Sequence, residues 1–316
     1  MQIGIIGLGK MGGNMATRLL RNKHSVVVYD RSADAVKNAV KEGGVAAKDA
    51  KDLVKKLDGP KTVWIMLPAG KITDDTITEV ASVLDKGDCI IDGGNSKFTD
   101  DIRRQKELAT KGIDYMDVGT SGGIWGLKRG YSLMIGGDKK QFKRLEPIFK
   151  TLAPAGRKGN LAYEGEKDIP DGYMLFGPAG SGHFVKMVHN GIEYAIMQAY
   201  AEGFDIMRAF PHAKLDMYEI AKTWRNGSVV ASWLLDLAAN ALEDDTSKEF
   251  KGIKPFVTDS GEGQWTVECA VNWKIPASVI TESVMTRWVS QGNSSYSLRF
   301  LNALRNQFGG HEIVKE

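Results

Sequence analysis

This chain is poor in cysteine. Cys89 and Cys269 are the only two among 316 residues, which excludes a disulfide framework and offers no metal-ligand spacing. No run of about 18 apolar residues occurs, so no membrane span is expected. The N-terminus, Met1-Gln2-Ile3-Gly4-Ile5-Ile6, enters a strand directly, without the basic, apolar and small-residue succession of an export signal. Charge of one sign is lacking too: 42 Lys and Arg stand against 39 Asp and Glu, a net +3. That balance gives no electrostatic case for nucleic acid or a membrane surface, and leaves open a local basic pocket for a small anion. A reduced, cytoplasmic protein is expected. What is present is ordinary for a globular chain, 42% hydrophobic and 26% charged residues, and the length suffices for two domains. No internal repeat or low-complexity segment occurs.

Periodicity divides the chain. Short apolar or β-branched runs at 2–6, 25–29, 62–67, 88–91, 113–118 and 131–135 predict strands. Helical spacing intervenes at 10–22, 33–42, 49–57, 72–84, 97–111 and 139–151. Alternating strands and helices predict a mainly parallel sheet. From about residue 181 only helical patterns follow: 181–209, 215–224, 230–243, 263–272, 277–290 and 294–308. The segment 152–179 is rich in Gly and Pro, including Pro154, Gly156, Gly159, Pro170, Gly172, Gly177 and Pro178, and predicts the domain boundary. The expected architecture is an α/β, Rossmann-like N-terminal domain (1–178) followed by an all-α C-terminal domain (179–316).

Gly7-Leu8-Gly9-Lys10-Met11-Gly12 matches G-x-G-x-x-G. The pattern alone is weak, but here it closes the first strand and opens the first helix, the context a dinucleotide requires. Gly7 permits the tight turn, Gly9 lets a pyrophosphate approach the backbone, and Gly12 lets helix and strand pack closely. The phosphates then sit at the positive end of the helix. Asp30 ends the second strand, where a carboxylate accepts hydrogen bonds from ribose hydroxyls and repels a 2′-phosphate. This favours NAD over NADP. Arg31 beside it could stack on adenine, or pair with a 2′-phosphate if Asp30 turns away.

The segment Gly180-Ser181-Gly182-His183-Phe184-Val185-Lys186-Met187-Val188-His189-Asn190-Gly191-Ile192-Glu193-Tyr194 places Lys186, His189, Asn190 and Glu193 at i, i+3, i+4 and i+7, one face of a helix. A lone Lys or Glu on a helix is usually a solvated charge. Here the intervening residues are mostly apolar, so burial on several sides is expected, and a polar stripe on a buried helix needs partners such as a substrate.

Together these residues resemble the decarboxylating 6-phosphogluconate dehydrogenases of the β-hydroxyacid dehydrogenase superfamily. The marks are the glycine motif, Asp92-Gly93-Gly94-Asn95-Ser96, Gly119-Thr120-Ser121-Gly122-Gly123, the Lys186 helix, and the tail Phe308-Gly309-Gly310-His311. The chain is similar to the short form of that family. The resemblance implies oxidation of 6-phospho-D-gluconate at C3, loss of C1 as CO2, and protonation of the enediol to ribulose 5-phosphate, a pentose phosphate reaction. It implies Lys186 as base and then as the cation that stabilises the enolate, and Glu193 as the acid that protonates C1 of the product. A neutral Lys186 fits the first role, because burial and nearby positive charge lower a lysine pKa. His189 and Asn190 would orient hydroxyls. Asn95, Ser121, Gly122 and Gly123 would hold the carboxylate end, and Tyr194, Arg287 and Arg305 the phosphate, with His311 also reaching the substrate. Gly7 to Gly12, Asp30, Arg31, Leu67 and Asn95 would hold the cofactor, NAD preferred and NADP possible, without a metal. A homo-oligomer, dimer or tetramer, is implied, with the tail near a neighbouring active site.

The chain departs from the long enzymes twice. Pro68 stands where they carry a lysine. The glycine-rich loop is shortened to Asp259-Ser260-Gly261-Glu262-Gly263-Gln264-Trp265 and has no lysine, so one phosphate contact is missing or replaced. Two rival functions remain. A non-decarboxylating β-hydroxyacid dehydrogenase acting on a small 3-hydroxy acid would share the Lys and Asn but lack the His189/Glu193 pair and the Arg–His tail. A non-enzymatic dinucleotide-binding module would keep the glycines without needing the polar stripe.

Overall fold

The computed structural model describes residues 1–154, 171–293 and 295–309, apart from the side chains of Asn302, Asn306, Phe308 and Gly309. In chain order the elements are β1 (Gln2–Ile6), α1 (Lys10–Arg21), β2 (Ser25–Tyr29), α2 (Ala33–Lys41), β3 (Val45–Ala46), α3 (Ala50–Lys55), β4 (Thr62–Ile65), α4 (Lys71–Ala81), β5 (Cys89–Asp92), α5 (Phe98–Ala109), β6 (Asp114–Ser121), α6 (Gly126–Arg129), β7 (Ser132–Gly136), α7 (Lys139–Leu152) and β8 (Tyr173–Gly177). Then come α8 (Ser181–Arg208), α9 (Met217–Trp224), α10 (Trp233–Asp244), α11 (Glu262–Asn272), α12 (Ser278–Ser290) and α13 (Ser295–Gly309).

The eight strands form one sheet in the order β3-β2-β1-β4-β5-β6-β7-β8. Every pairing is parallel except β6 with β7. Helices cover both faces, so the central strands are apolar on both sides rather than alternating. The pleat still divides them. Ile3, Ile5, Trp64, Cys89 and Ile91 enter one core cluster, and Ile6, Val63, Ile65 and Ile90 the other. Strand order reverses between β1 and β4, and the crevice at the carboxyl ends beside such a reversal is where α/β sheets take their ligands.

Two strands escape the sequence reading. β3 is two residues long. β8 lies inside the Gly- and Pro-rich segment, and its alternating burial and half-exposed Met174 and Phe176 (48% each) mark a sheet edge. It extends the sheet by pairing with β7 at Leu133–Tyr173. Gly156, Gly159 and Pro170 of the predicted domain boundary lie outside the described residues. The chain divides into two compact units, Met1–Met187 and Val188–Glu316. The second contains helices and, among the described residues, no strand.

Local sequence sets the helix starts. Ser32, Asp49, Asp138, Asp216 and Ser232 each accept a backbone N–H in the first turn of the helix that follows. α8 is different: its cap comes from the sheet. Asp117 of β6 accepts from the N–H of Gly180 (2.7 Å) and of His183 (2.7 Å).

Candidate active site

The glycine motif has the predicted geometry. Gly7 has φ +93°, and a Cβ there would lie 2.4 Å from the Met66 carbonyl oxygen. A Cβ on Gly12 would lie 2.0 Å from the Gly7 oxygen, whereas one on Gly9 would meet nothing within 4 Å. Thus Gly7 and Gly12 serve the fold, and Gly9 leaves open space. No side chain caps α1, so its first-turn N–H groups and the helix dipole address that space. These residues fit a dinucleotide pyrophosphate. Lys10 and Met11 open the helix, and Leu8 is buried behind the loop. Asp30 does more than end β2. Its Oδ2 accepts the Leu8 N–H at 2.6 Å and its Oδ1 the Ser32 N–H at 2.7 Å. Each oxygen keeps a second lone-pair direction for a hydroxyl donor. Arg31 is exposed at the same edge.

The loops after β4 and β5 close against each other. A Cβ on Gly94 would lie 2.5 Å from the Leu67 oxygen, and one on Gly93 would lie 2.1 Å from Trp64 Nε1. This packing sets Leu67 and the exposed Asn95 at the same sheet edge as the glycine motif. Asp92, fully buried, fastens the turn by accepting from the Gly94 N–H (2.9 Å) and the Ser96 hydroxyl (2.6 Å).

Asp92 also opens a buried charge network. Arg104 donates to it at 2.7 Å and to Asp74 at 2.8 Å. Asp101 accepts from the Tyr115 hydroxyl at 2.7 Å and pairs with His183 Nδ1 at 2.8 Å. Burial opposes charge on His183, but Asp101, with Asp92 and Asp117 nearby, pushes its pKa up to about 10. His183 is therefore an imidazolium at neutral pH. Burial pushes Asp117 up to about 6, against the pull of the His183 charge and two backbone donors. Asp92, Asp101 and His183 have the side chains of a metal site and their ligand atoms lie within 4.8 Å of one another. Arg104 and His183 already supply the positive charge there, so the cluster reads as an ion-pair network.

The same network seats Lys186. A Cβ on Gly182 would lie 2.4 Å from the Met134 oxygen and 2.7 Å from the Asp117 oxygen. The first turn of α8 therefore lies directly on the backbone of β6 and β7. One turn later Lys186 packs over Gly119, whose added Cβ would lie 2.2 Å from Lys186 Cβ. Lys186 is buried, 6% exposed. Ser121, two residues beyond Gly119, shares its strand face. Gly122 (φ +136°) and Gly123 (φ +53°) then turn the chain into a short 3-10 helix.

In the helical unit, α8 continues with His189, Asn190, Glu193 and Tyr194. His189 Nδ1 lies 3.1 Å from Asn190 Oδ1 and 3.8 Å from a Glu193 oxygen. The Arg287 guanidinium lies 3.6 Å over the Tyr194 ring, and its Nη1 donates to the Thr258 carbonyl at 2.8 Å. The shortened loop comes to the same place. Tyr194 Oη accepts the Ser260 N–H at 3.2 Å, and Glu262 accepts from the Ser260 hydroxyl at 3.1 Å and from the Asn190 amide. Thus Asn190, Tyr194 and Arg287 are brought together. Ser260 and Glu262, flagged only as part of a lysine-free loop, join them. Burial of α8 on several sides does not hold throughout: Ile192, Ile196 and Met197 are 49%, 38% and 41% exposed, because no described element covers that stripe. Arg305 is exposed on α13. His311 lies outside the described residues.

A glycine loop at the strand-order reversal and a buried lysine on a helix packed over the carboxyl end of β6 define a class: dinucleotide-dependent dehydrogenases with a helical second unit. Comparison with known proteins narrows it. The NAD-binding domain of 6-phosphogluconate dehydrogenase matches residues 2–163, and the 6-phosphogluconate dehydrogenase C-terminal domain matches residues 182–308. The chain therefore belongs to the 6-phosphogluconate dehydrogenase family. It is 40% identical to the NAD(+)-dependent, decarboxylating 6-phosphogluconate dehydrogenase of Haloferax volcanii over 100% of this chain and 99% of that one. It is 34% identical to the decarboxylating 6-phosphogluconate dehydrogenase of Escherichia coli, covering 92% of this chain but 61% of that longer enzyme. Among solved structures, the Plasmodium falciparum 6-phosphogluconate dehydrogenase aligns with a TM-score of 0.81 at 27% identity, covering 100% of this chain and 66% of that one. A 3-hydroxyisobutyrate dehydrogenase from Salmonella typhimurium, at 19% identity and TM-score 0.70, shares the fold.

Proposed function

We propose that this chain oxidises 6-phospho-D-gluconate at C3 and decarboxylates the product to D-ribulose 5-phosphate and CO2. The observation that carries this reading is Lys186: a buried amine fixed over Gly119, on the helix face that continues with His189, Asn190 and Glu193. The bound nicotinamide dinucleotide supplies the hydride acceptor.

Neutral Lys186 takes the C3 hydroxyl proton. As ammonium it then donates to the resulting ketone oxygen and stabilises the enolate left when CO2 departs. Glu193, two turns along, delivers the proton to the former C2, which becomes C1 of ribulose 5-phosphate. His189 and Asn190 orient substrate hydroxyls, and Asn95, Ser121, Gly122 and Gly123 hold the carboxylate end. Tyr194 and Arg287 take the phosphate, with Arg305 and His311 of the tail. Their stacking in the helical unit supports the pairing of Tyr194 with Arg287. NAD is the preferred cofactor, because the Asp30 charge at the ribose position opposes a 2′-phosphate. The apolar stripe of α8, continued by Ile206 at 74% exposure, supports a homo-oligomer. No described helix is long and apolar enough to cross a membrane, and Cys89 and Cys269, which form no disulfide, suit a reducing cytoplasm.

The test is direct: purified protein with 6-phosphogluconate and either NAD or NADP, following cofactor reduction and CO2. Stoichiometric CO2, with NAD the faster cofactor, is expected. Reduction without CO2 would point to a non-decarboxylating β-hydroxyacid dehydrogenase, and faster turnover with NADP would overturn the role given to Asp30.

A further inference from the structure

Glu262 is the most deeply buried carboxylate of the helical unit among the described residues, 2% exposed at the first position of α11. A carboxylate in the first turn of a helix commonly serves the helix dipole from solvent. Glu262 instead points into the unit. The approach of the helices explains how it gets there: a Cβ on Gly191 would lie 3.0 Å from Thr266 Cγ2, and one on Gly263 would lie 2.8 Å from the Tyr194 ring. With no side chain at those two positions, α11 lies close against α8 and Glu262 meets Asn190.

The hydrogen bonds there have a direction. A carboxylate offers acceptors, so the Asn190 amide must turn its NH2 toward Glu262 Oε2, as observed. Its carbonyl oxygen then faces His189 Nδ1 at 3.1 Å. A carbonyl also only accepts, so Nδ1 carries the hydrogen and Nε2 of a neutral His189 is the acceptor. Glu193, 3.8 Å from the same Nδ1, favours that arrangement. The Ser260 hydroxyl donates to the same oxygen of Glu262 as Asn190 does, at 3.1 Å, which holds the carboxylate in place from the loop side.

We infer that Glu262 is a positioning residue: it fixes the orientation of the Asn190 carboxamide and, through it, the tautomer of His189. Without it the amide loses the acceptor that sets its direction, and its reversal would present NH2 to His189 and select the opposite tautomer. The inference rests on the proposal that the α8 stripe binds substrate, and its test separates the two.

Glu262→Ala is expected to lower kcat/KM for 6-phosphogluconate by roughly 10–100-fold, the effect of losing a hydrogen bond to a charged group, with the KM for NAD changed less than about twofold. Glu262→Gln should recover most of that loss, since the Asn190 amide and the Ser260 hydroxyl both use Oε2 and a carboxamide carbonyl can replace it. In an Asn190→Ala background, Glu262→Ala should cost little more, because the path runs through Asn190. If the losses simply add, or if Gln fails to rescue, the positioning role is wrong. Should Glu262→Ala fail to fold, Asn190→Asp paired with Glu262→Gln reverses donor and acceptor, and must outperform Asn190→Asp alone. Nitrogen-15 NMR of the His189 ring tests the inference without turnover: Nδ1 bears the proton in the wild type and shares it with Nε2 in Glu262→Ala. An unchanged ring spectrum overturns the inference. A wild type inactive on 6-phosphogluconate but with that ring shift overturns only the function.

Discussion

At the scale of the residue, Lys186 and the glycine motif have separable duties. Lys186→Ala should abolish measurable turnover while leaving NAD affinity within about twofold, because the proposed function gives the pyrophosphate contacts to α1 and the lysine to the reacting carbon. Titration calorimetry with NAD beside steady-state kinetics checks this, and a parallel loss of NAD affinity would contradict it. His183 predicts a pH dependence of stability. Its folded pKa of about 10 lies above the free value of 6.5, so the folded state holds a proton that the unfolded chain releases between those limits. The stabilisation is complete below pH 6.5 and is lost as pH rises toward 10, with a slope of at most about 1.4 kcal/mol per pH unit. His183→Gln should flatten that part of a denaturation-versus-pH curve, and equal slopes for both proteins would refute the assignment. The residues legible in the sequence were those that share one face of one helix. Lys186, His189, Asn190 and Glu193 declare themselves by spacing. Neither His183 nor Glu262 does, because Asp101 lies 82 positions from His183 and Asn190 lies 72 from Glu262, and no local pattern encodes such a pair.

At the scale of the element, α8 is tied to the sheet by the absence of a side chain at Gly182. Gly182→Ala sets a methyl group against three backbone atoms, the Met134 and Asp117 oxygens and the Gly136 nitrogen, all within 2.7 Å. It should cost roughly 1–3 kcal/mol and, by shifting Lys186, lower kcat by about a hundredfold. Gly203→Ala on the same helix meets nothing within 4 Å and should stabilise by about 0.5–1 kcal/mol. Thermal melts of the two variants must move in opposite directions. Helix positions read well from the sequence because apolar spacing of 3.6 and side-chain caps coincide, as with Ser32 at the start of α2. β8 did not, since an edge strand between glycines and prolines has the composition of a loop.

At the scale of the whole molecule, the parallel sheet followed by helices was legible, because strands alternating with helices admit few other architectures. The surface that the helical unit leaves bare was not. Apolar spacing on α8 reads as core, and Ile192, Ile196, Met197 and Ile206 are nonetheless exposed. Light scattering after gel filtration should give at least twice the chain mass, and Ile206→Asp should shift the protein toward monomer; a wild-type monomer at micromolar concentration would exclude the oligomer.

The double engagement of Asp30 bears on how such a protein could be re-purposed. One oxygen of this carboxylate holds the Leu8 amide and the other the Ser32 amide, so the charge proposed to select against a phosphorylated ribose is also a clasp on the glycine loop. Exchanging it for a neutral residue to admit NADP loosens the seat of both cofactors at once. A lineage or an engineer changing the coenzyme would first need another acceptor for the Leu8 amide, so discrimination here resists single-step drift.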